Sequence, residues 1–190
     1  MGIKFLQLLP LLCFLWGCAY EVGYQKRALL GNYKQVAIPV FENKSQITGP
    51  EKYFTSTLIK EFERIQTVNV TSKSKAPVFI KGSINEVTVE GLSPIQGGAE
   101  PFDRLPKEAA LYSVYRIKVR LAIAVLRRDD QVVLWSENFN REKVYKAPQI
   151  ESPIINSANA VYNESAIQSS LSEVADELMT DVYDRLTESF

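Results

Sequence analysis

The fold is decided by residues 114–135, which read VYRIKVRLAIAVLRRDDQVVLW. Large apolar side chains alternate with basic or small ones from Tyr115 to Val125, which is the period of a strand with one buried face. Residues 127–131 are polar and predict a tight turn. A return strand follows from Val132 to about Tyr145, with three large apolar side chains on one parity: Val133, Trp135 and Phe139. The stretch therefore predicts an antiparallel hairpin.

Two more strands are predicted upstream of this hairpin. One begins at Val78, and its apolar positions change parity beyond Ile84, which predicts a β-bulge near Asn85 and Glu86. The other covers residues 35–41. It contains Pro39, which has no N–H for a ladder, so we expect this strand to lie at a sheet edge or to carry a bulge.

Two amphipathic helices complete the predicted domain. The first begins at Pro50, and its apolar residues recur at helical spacing: Phe54, Leu58, Phe62 and Ile65. The second ends the chain and carries a longer stripe: Ile167, Leu171, Val174, Leu178, Val182 and Leu186. The order of strand, helix, three strands and helix predicts an α+β fold, a two-layer sandwich with both helices on one face of a mixed four-stranded sheet. The helical crossover makes the first two strands parallel.

The N-terminus carries an export signal of the lipoprotein type. Lys4 precedes a short apolar run that ends in Leu15-Trp16-Gly17-Cys18. The run is too short to span a bilayer, which takes about 20 residues. We therefore predict a signal peptide at residues 1–17, lipidation of Cys18, a tether at 18–34 and a single domain at 35–190. Because Ala19 follows the cysteine, the common sorting rule predicts the outer membrane.

Composition excludes several classes of function. The 190 residues include no histidine, and only Cys18 remains after the signal peptide, so the usual general base, zinc ligand and disulfide are all missing. Twenty-two basic and twenty-two acidic residues leave no basic excess for nucleic acid. We predict a non-catalytic protein with no cofactor and no metal.

Several motifs together resemble the LptE family. They are the lipobox, Tyr20 near the mature start, the run Ile38-Pro39-Val40-Phe41-Glu42-Asn43-Lys44, and a helix that contains Tyr53-Phe54, Leu58 and Glu61-Phe62. The strand order and the terminal helix also fit, so the resemblance covers nearly the whole mature chain. A strand followed by Phe-Glu-Asn is also found in periplasmic lipoproteins that activate peptidoglycan synthases and in lipoproteins of secretion pores.

The resemblance to LptE implies a binding role at the cell outer membrane. Such a protein is lipid-anchored on the periplasmic side, binds lipopolysaccharide, and plugs an LptD-like β-barrel during lipopolysaccharide assembly. An activator of a peptidoglycan synthase or a secretion-pore lipoprotein is the alternative.

Basic side chains give two candidate ligand sites. If the strands alternate as predicted, five of these side chains gather at one end of the sheet, where they would pair with lipopolysaccharide phosphates: Lys44, Arg104, Lys107, Lys143 and Lys146. Solvated loop charges offset by nearby carboxylates are the alternative. A second set forms a stripe on the outward sheet face, as a solvated surface or as a contact for a barrel wall or an acidic ligand: Arg116, Lys118 and Arg120.

Overall fold

The computed structural model describes residue 29 and residues 33–66, 68–92, 94–96, 110–112, 114–146 and 160–188. Its elements in chain order are β1 (Gln35–Ala37), β2 (Glu42–Asn43), α1 (Pro50–Ile65), β3 (Asn69–Val70), β4 (Val78–Gly91), β5 (Pro94–Gln96), β6 (Ala110–Tyr112), β7 (Val114–Arg127), β8 (Val133–Lys146) and α2 (Ala160–Glu188).

The sheet is mixed and larger than predicted. Five strands lie in the order β3-β1-β4-β7-β8, and β2 pairs separately with β4, so the main sheet has six strands rather than four. The two additional strands, β2 and β3, have two residues each, which is too short for any periodicity to reveal. β1 and β4 are parallel, and both β4–β7 and β7–β8 are antiparallel, as predicted. The predicted α+β class with two helices on a mixed sheet is confirmed.

The long strands shift register at two places. The predicted bulge in β4 is confirmed between Ile84 and Glu86. A second shift, not foreseen, lies at the start of β8, where Trp135 pairs with Val125 but Val133 pairs with Leu126. Because one residue is inserted there, Val133 turns to the face opposite to Trp135. The prediction that Val133 shares the parity of Trp135 is therefore wrong.

The first predicted strand is shorter than its apolar run. β1 ends at Ala37, the chain leaves the ladder around Pro39, and pairing resumes at β2. β1 does not lie at an edge, because β3 pairs with its other side. Proline is accommodated by this break in pairing rather than by an edge position.

Both helices cover one face of the sheet, which we call the inner face. Inward side chains of β4 and β7 form one core with both helix stripes. The rings of Phe62 and Tyr183 meet edge to face with centroids 5.0 Å apart, and the Thr57 hydroxyl donates to Asp176 at 3.1 Å. Ile65 is 39% exposed, so the predicted apolar face of α1 ends at Phe62.

The two ends of the sheet differ in how they are connected. At the turn end, β4 begins at Val78 and residues 128–132 join β7 to β8. At the loop end, β4 finishes at Gly91 beside Tyr115, and β8 finishes at Lys146. Leu29 is fully buried and bridges to Tyr33. Across the described ranges, no helix is long and apolar enough to cross a bilayer.

Candidate functional site

The five basic residues predicted to gather at one end are placed differently by the structure. Lys146 lies at the loop end, opposite Val114, and is exposed. Lys44 does not lie there, because its backbone N–H donates to the carbonyl of Ile84 at 2.9 Å, beside the middle of β4. Seven residues of β4 beyond that point correspond to about 20 Å. Arg104 and Lys107 fall outside the described residues, as does Cys18.

Lys143 is held on the inner face by helix α2. Its ammonium group lies 2.5 Å from a carboxylate oxygen of Glu173 and 3.4 Å from one of Glu177. The hydrogen bond to Glu173 and the nearby negative charge raise the pKa of Lys143 above its ordinary value. Its face of β8 turns Lys143 toward the helix rather than toward the loops at the end of the sheet, and its role in ligand binding stays a prediction.

Arg141 extends this contact along the same face of β8. Its guanidinium pairs with Asp181, and its Nε lies 3.9 Å from Glu177. We call Arg141, Lys143 and their three partners on α2 the β8–α2 ladder. It replaces apolar packing at the edge of the core, so these cations hold the helix on the sheet.

The basic stripe of β7 is matched by carboxylates on both neighbouring strands. Arg116 Nε lies 3.5 Å from Glu142, Lys118 Nζ lies 3.1 Å from Glu90, and Arg120 pairs with Glu86. All of these residues except Arg116 line an open groove of about 730 Å³ on the outer face. Because the charges alternate in sign, the groove is close to neutral. The stripe therefore lacks the excess positive charge that a polyanion requires, which favours the solvated-face alternative.

An aromatic cluster at the loop end was not predicted. The rings of Tyr115 and Tyr145 stack with centroids 5.6 Å apart, and the ring of Tyr112 lies 6.1 Å from that of Tyr115. Burial raises the pKa of Tyr145 to about 12, with smaller contributions from Tyr115 and Glu164. Cross-strand pairing of Tyr115 with Tyr145 follows from the hairpin register, which was the signal available in the sequence.

The surface of the loop end is amphipathic. Tyr112, Leu92 and Val144 are 37%, 36% and 53% exposed, and Lys146 lies two residues beyond Val144. Exposed apolar side chains beside a lysine suit a ligand that carries both hydrocarbon and anionic groups. In the described part of the chain, no group of three or more acidic, cysteine or histidine residues is placed to hold a metal ion.

The Phe-Glu-Asn run that carries the resemblance is a structural element. Phe41 is buried, and its backbone N–H donates to the Thr55 hydroxyl at 3.0 Å. The Asn43 side chain donates to the Ile47 carbonyl at 2.8 Å and to Glu51 at 3.0 Å. These contacts fix the bend between β1 and β2 against the start of α1, so the run positions the helix.

Several solved structures are similar to this chain at low sequence identity. A homologue of a neuraminyllactose-binding hemagglutinin from Helicobacter pylori has a TM-score of 0.53 and 12% identity, covering 88% of this chain and 91% of its own. A PelC variant that forms a dodecamer, from Paraburkholderia phytofirmans, has a TM-score of 0.49 and 14% identity, covering 84% of this chain and 92% of its own. A lipoprotein from Caulobacter crescentus has a TM-score of 0.47 and 11% identity, covering 78% of this chain and 88% of its own. At these identities the likeness concerns the fold alone.

The family comparison is more specific. No curated protein sequence matches the chain at a significant level. The family model named LptE, described as lipopolysaccharide-assembly, matches residues 33–186. The matched residues begin at Tyr33 and end in the last turn of α2. They include the whole sheet, α1 and nearly all of α2. The chain belongs to the LptE family of lipopolysaccharide-assembly proteins.

Proposed function

We propose that this protein is an outer-membrane lipoprotein, anchored through Cys18, that binds lipopolysaccharide and partners an LptD-like β-barrel as a plug during lipopolysaccharide assembly. The observation that carries the proposal is the family match over residues 33–186, which spans the domain. The family is non-catalytic, which agrees with a chain without histidine.

The loop end is the proposed surface for lipopolysaccharide. Lys146 is exposed there, and the Tyr115–Tyr145 stack supports the strand ends beneath it. The connection from β4 to β7 also leaves the sheet at this end. It contains the paired strands β5 and β6, and Arg104 and Lys107 lie between them in the sequence. In this proposal the cations pair with phosphates, while Leu92 and Tyr112 contact hydrocarbon or sugar rings. Lys44 and Lys143 are left out, because they lie elsewhere.

A capture experiment tests the proposed partner. The lipidated protein, tagged at its C-terminus, is purified from detergent-solubilised native membranes, and co-purifying proteins are identified by mass spectrometry. We expect a large outer-membrane β-barrel, enriched over a purification of an unrelated tagged lipoprotein. A peptidoglycan synthase, or a ring made only of copies of this chain, would instead support the alternative functions and contradict the barrel partner.

A charge-removal experiment tests the proposed ligand surface. Replacing Arg104, Lys107 and Lys146 together with Gln should weaken binding to purified lipopolysaccharide about tenfold, because three charge-assisted contacts are lost. Wild-type affinity should also fall as salt rises, since exposed charges are screened over about 10 Å at 0.1 M ionic strength. The measurement is a titration of the mature chain at two salt concentrations.

The matched control removes the same charge from exposed positions of α1: Lys52→Gln, Lys60→Gln and Arg64→Gln. This variant should bind lipopolysaccharide like the wild type. Equal weakening in both folded variants would show that only net charge matters. Full affinity in the loop-end variant would exclude that end as the phosphate site and direct attention to the stripe on β7.

A further inference from the structure

Three exposed valines lie near the turn end of the sheet, two of them, Val40 and Val133, on its outer face. Val40, Val132 and Val133 are 73%, 48% and 54% exposed, which makes them the most exposed large apolar side chains in the described residues apart from Val144. Val133 reaches this face because of the register shift in β8, and it pairs with Leu126. Leu126 and Val40 line a groove of about 280 Å³ over Phe79. We call these three valines with Leu126 and Phe79 the turn-end patch.

Lysines surround the patch. Lys73 places its ammonium 4.3 Å from the centroid of the Phe79 ring, and Lys81 lines the same groove. Lys75 lies in the same turn, which is fixed because Arg128 donates to the Ser74 carbonyl at 2.8 Å. Among the described carboxylates, none forms an ion pair with these three lysines.

The acidic groups nearby are already paired with other residues. Glu42, which also lines the groove, lies 3.7 Å from Lys44. Asp129 and Asp130 in the β7–β8 turn pair with Arg128 and Arg127 at 3.2 Å and 2.9 Å. The surface around the valines therefore carries a net positive charge. An apolar patch rimmed by lysines is the pattern of a protein surface that contacts anionic headgroups.

The chain enters the domain at the same end. Leu29 is fully buried and bridges to Tyr33, which lies close enough to Arg127 at the end of β7 to raise the pKa of that guanidinium. Eleven residue steps separate Leu29 from Cys18, a reach of at most about 40 Å. The 14-residue strands extend about 48 Å. The tether is thus shorter than the sheet, and it holds the turn end nearest to the anchor.

We propose that the turn-end patch docks on the anionic phospholipid surface in which the acyl chains of Cys18 are inserted. The inference rests on the proposed lipidation. While the domain is not yet seated in its barrel partner, the valines enter the headgroup region, the lysines pair with lipid phosphates, and the loop end lies farther from that surface. The anchor then fixes the orientation of the domain as well as its location.

A pair of single-cysteine variants tests this orientation. Val133 and Val144 lie on the outer face of the same strand, at opposite ends, and are 54% and 53% exposed. Because Cys18 is acylated in the mature chain, Val133→Cys or Val144→Cys supplies a unique thiol for an environment-sensitive fluorophore. Each lipidated variant is reconstituted in vesicles of phosphatidylethanolamine and phosphatidylglycerol that contain a lipid-borne quencher.

We expect blue-shifted emission and about two- to threefold stronger quenching at position 133 than at position 144, since interfacial side chains lie within about 5–10 Å of the headgroup boundary. Lys73→Gln with Lys75→Gln should reduce the quenching at 133, and neutral phosphatidylcholine vesicles should do the same. Equal quenching at both positions, or stronger quenching at 144, would overturn the proposal.

Two controls separate this result from failure of the proposed function. Mass spectrometry of the N-terminal peptide and flotation with vesicles establish lipidation before any fluorescence is recorded, and an unacylated chain would refute the anchor and the docking together. Emission that is already blue-shifted in a chain beginning at Ala19, in buffer without detergent or vesicles, would show that another segment or a second copy covers the patch, which contradicts membrane docking. Lipopolysaccharide is absent throughout, so its binding is tested independently.

Discussion

Replacing Gly82 with valine should destabilise the protein by about 3 to 5 kcal/mol, the cost of removing a buried phenylalanine from a core. Gly82 lies on the inner face of β4, opposite Ile123, and the ring of Phe41 occupies the space above it. Any Cβ at position 82 would overlap that ring, so Phe41 must leave its site. The measurement is the free energy of unfolding in urea.

A double-mutant cycle gives this prediction its control. In Phe41→Ala the space above Gly82 is open, so adding Gly82→Val to that variant should cost at least about 1 kcal/mol less than in the wild type. Ala122→Val, on the outer face of the neighbouring strand, should change stability by about 1 kcal/mol or less. Strictly additive losses would mean that Phe41 does not pack on Gly82.

The second large effect is expected at Leu121. This side chain is 1% exposed in the middle of β7, and Leu121→Ala should cost roughly 2–5 kcal/mol through lost burial and the cavity left behind. Lys118→Ala, on the outer face of the same strand, should change the free energy of unfolding by about 0.5 kcal/mol or less. Thermal melts of both variants check the contrast. Similar losses would contradict the assignment of the inner face.

The elements that could be predicted are those whose apolar pattern repeats over many residues. β7 repeats its alternation over eleven residues, 115–125, and both helix stripes repeat over several turns, so their burial follows from the sequence. The parity change in β4 was also visible, because apolar residues stand on both sides of its bulge. In β8 the shift at Val133 lies within a run of four apolar residues, where parity carries no information.

The candidate site was harder to predict because the strand order placed basic residues at one end of the sheet without regard to the face that each one uses. Lys143 lies only three residues from the end of β8, but it has the parity of Phe139 and therefore turns inward. Its partners there, Glu173 and Glu177, depend on how α2 docks, which strand order does not show. The position of Lys44 could not be predicted for a different reason. It depends on where β2 pairs with β4, and that follows from the break in pairing at Pro39 rather than from strand order.

The β8–α2 ladder has a consequence for how the sheet ends. β8 is the outermost of the described strands on its side, and it pairs only with β7 there. A fourteen-residue strand with a free edge is a template onto which another chain can add. An added strand would lie beside charged side chains on both faces of β8. Arg141 and Lys143 are paired with α2 on one face, and Glu142 is paired with β7 on the other. The ion pairs that hold the terminal helix on the sheet therefore also make this edge a poorer template for edge-to-edge aggregation.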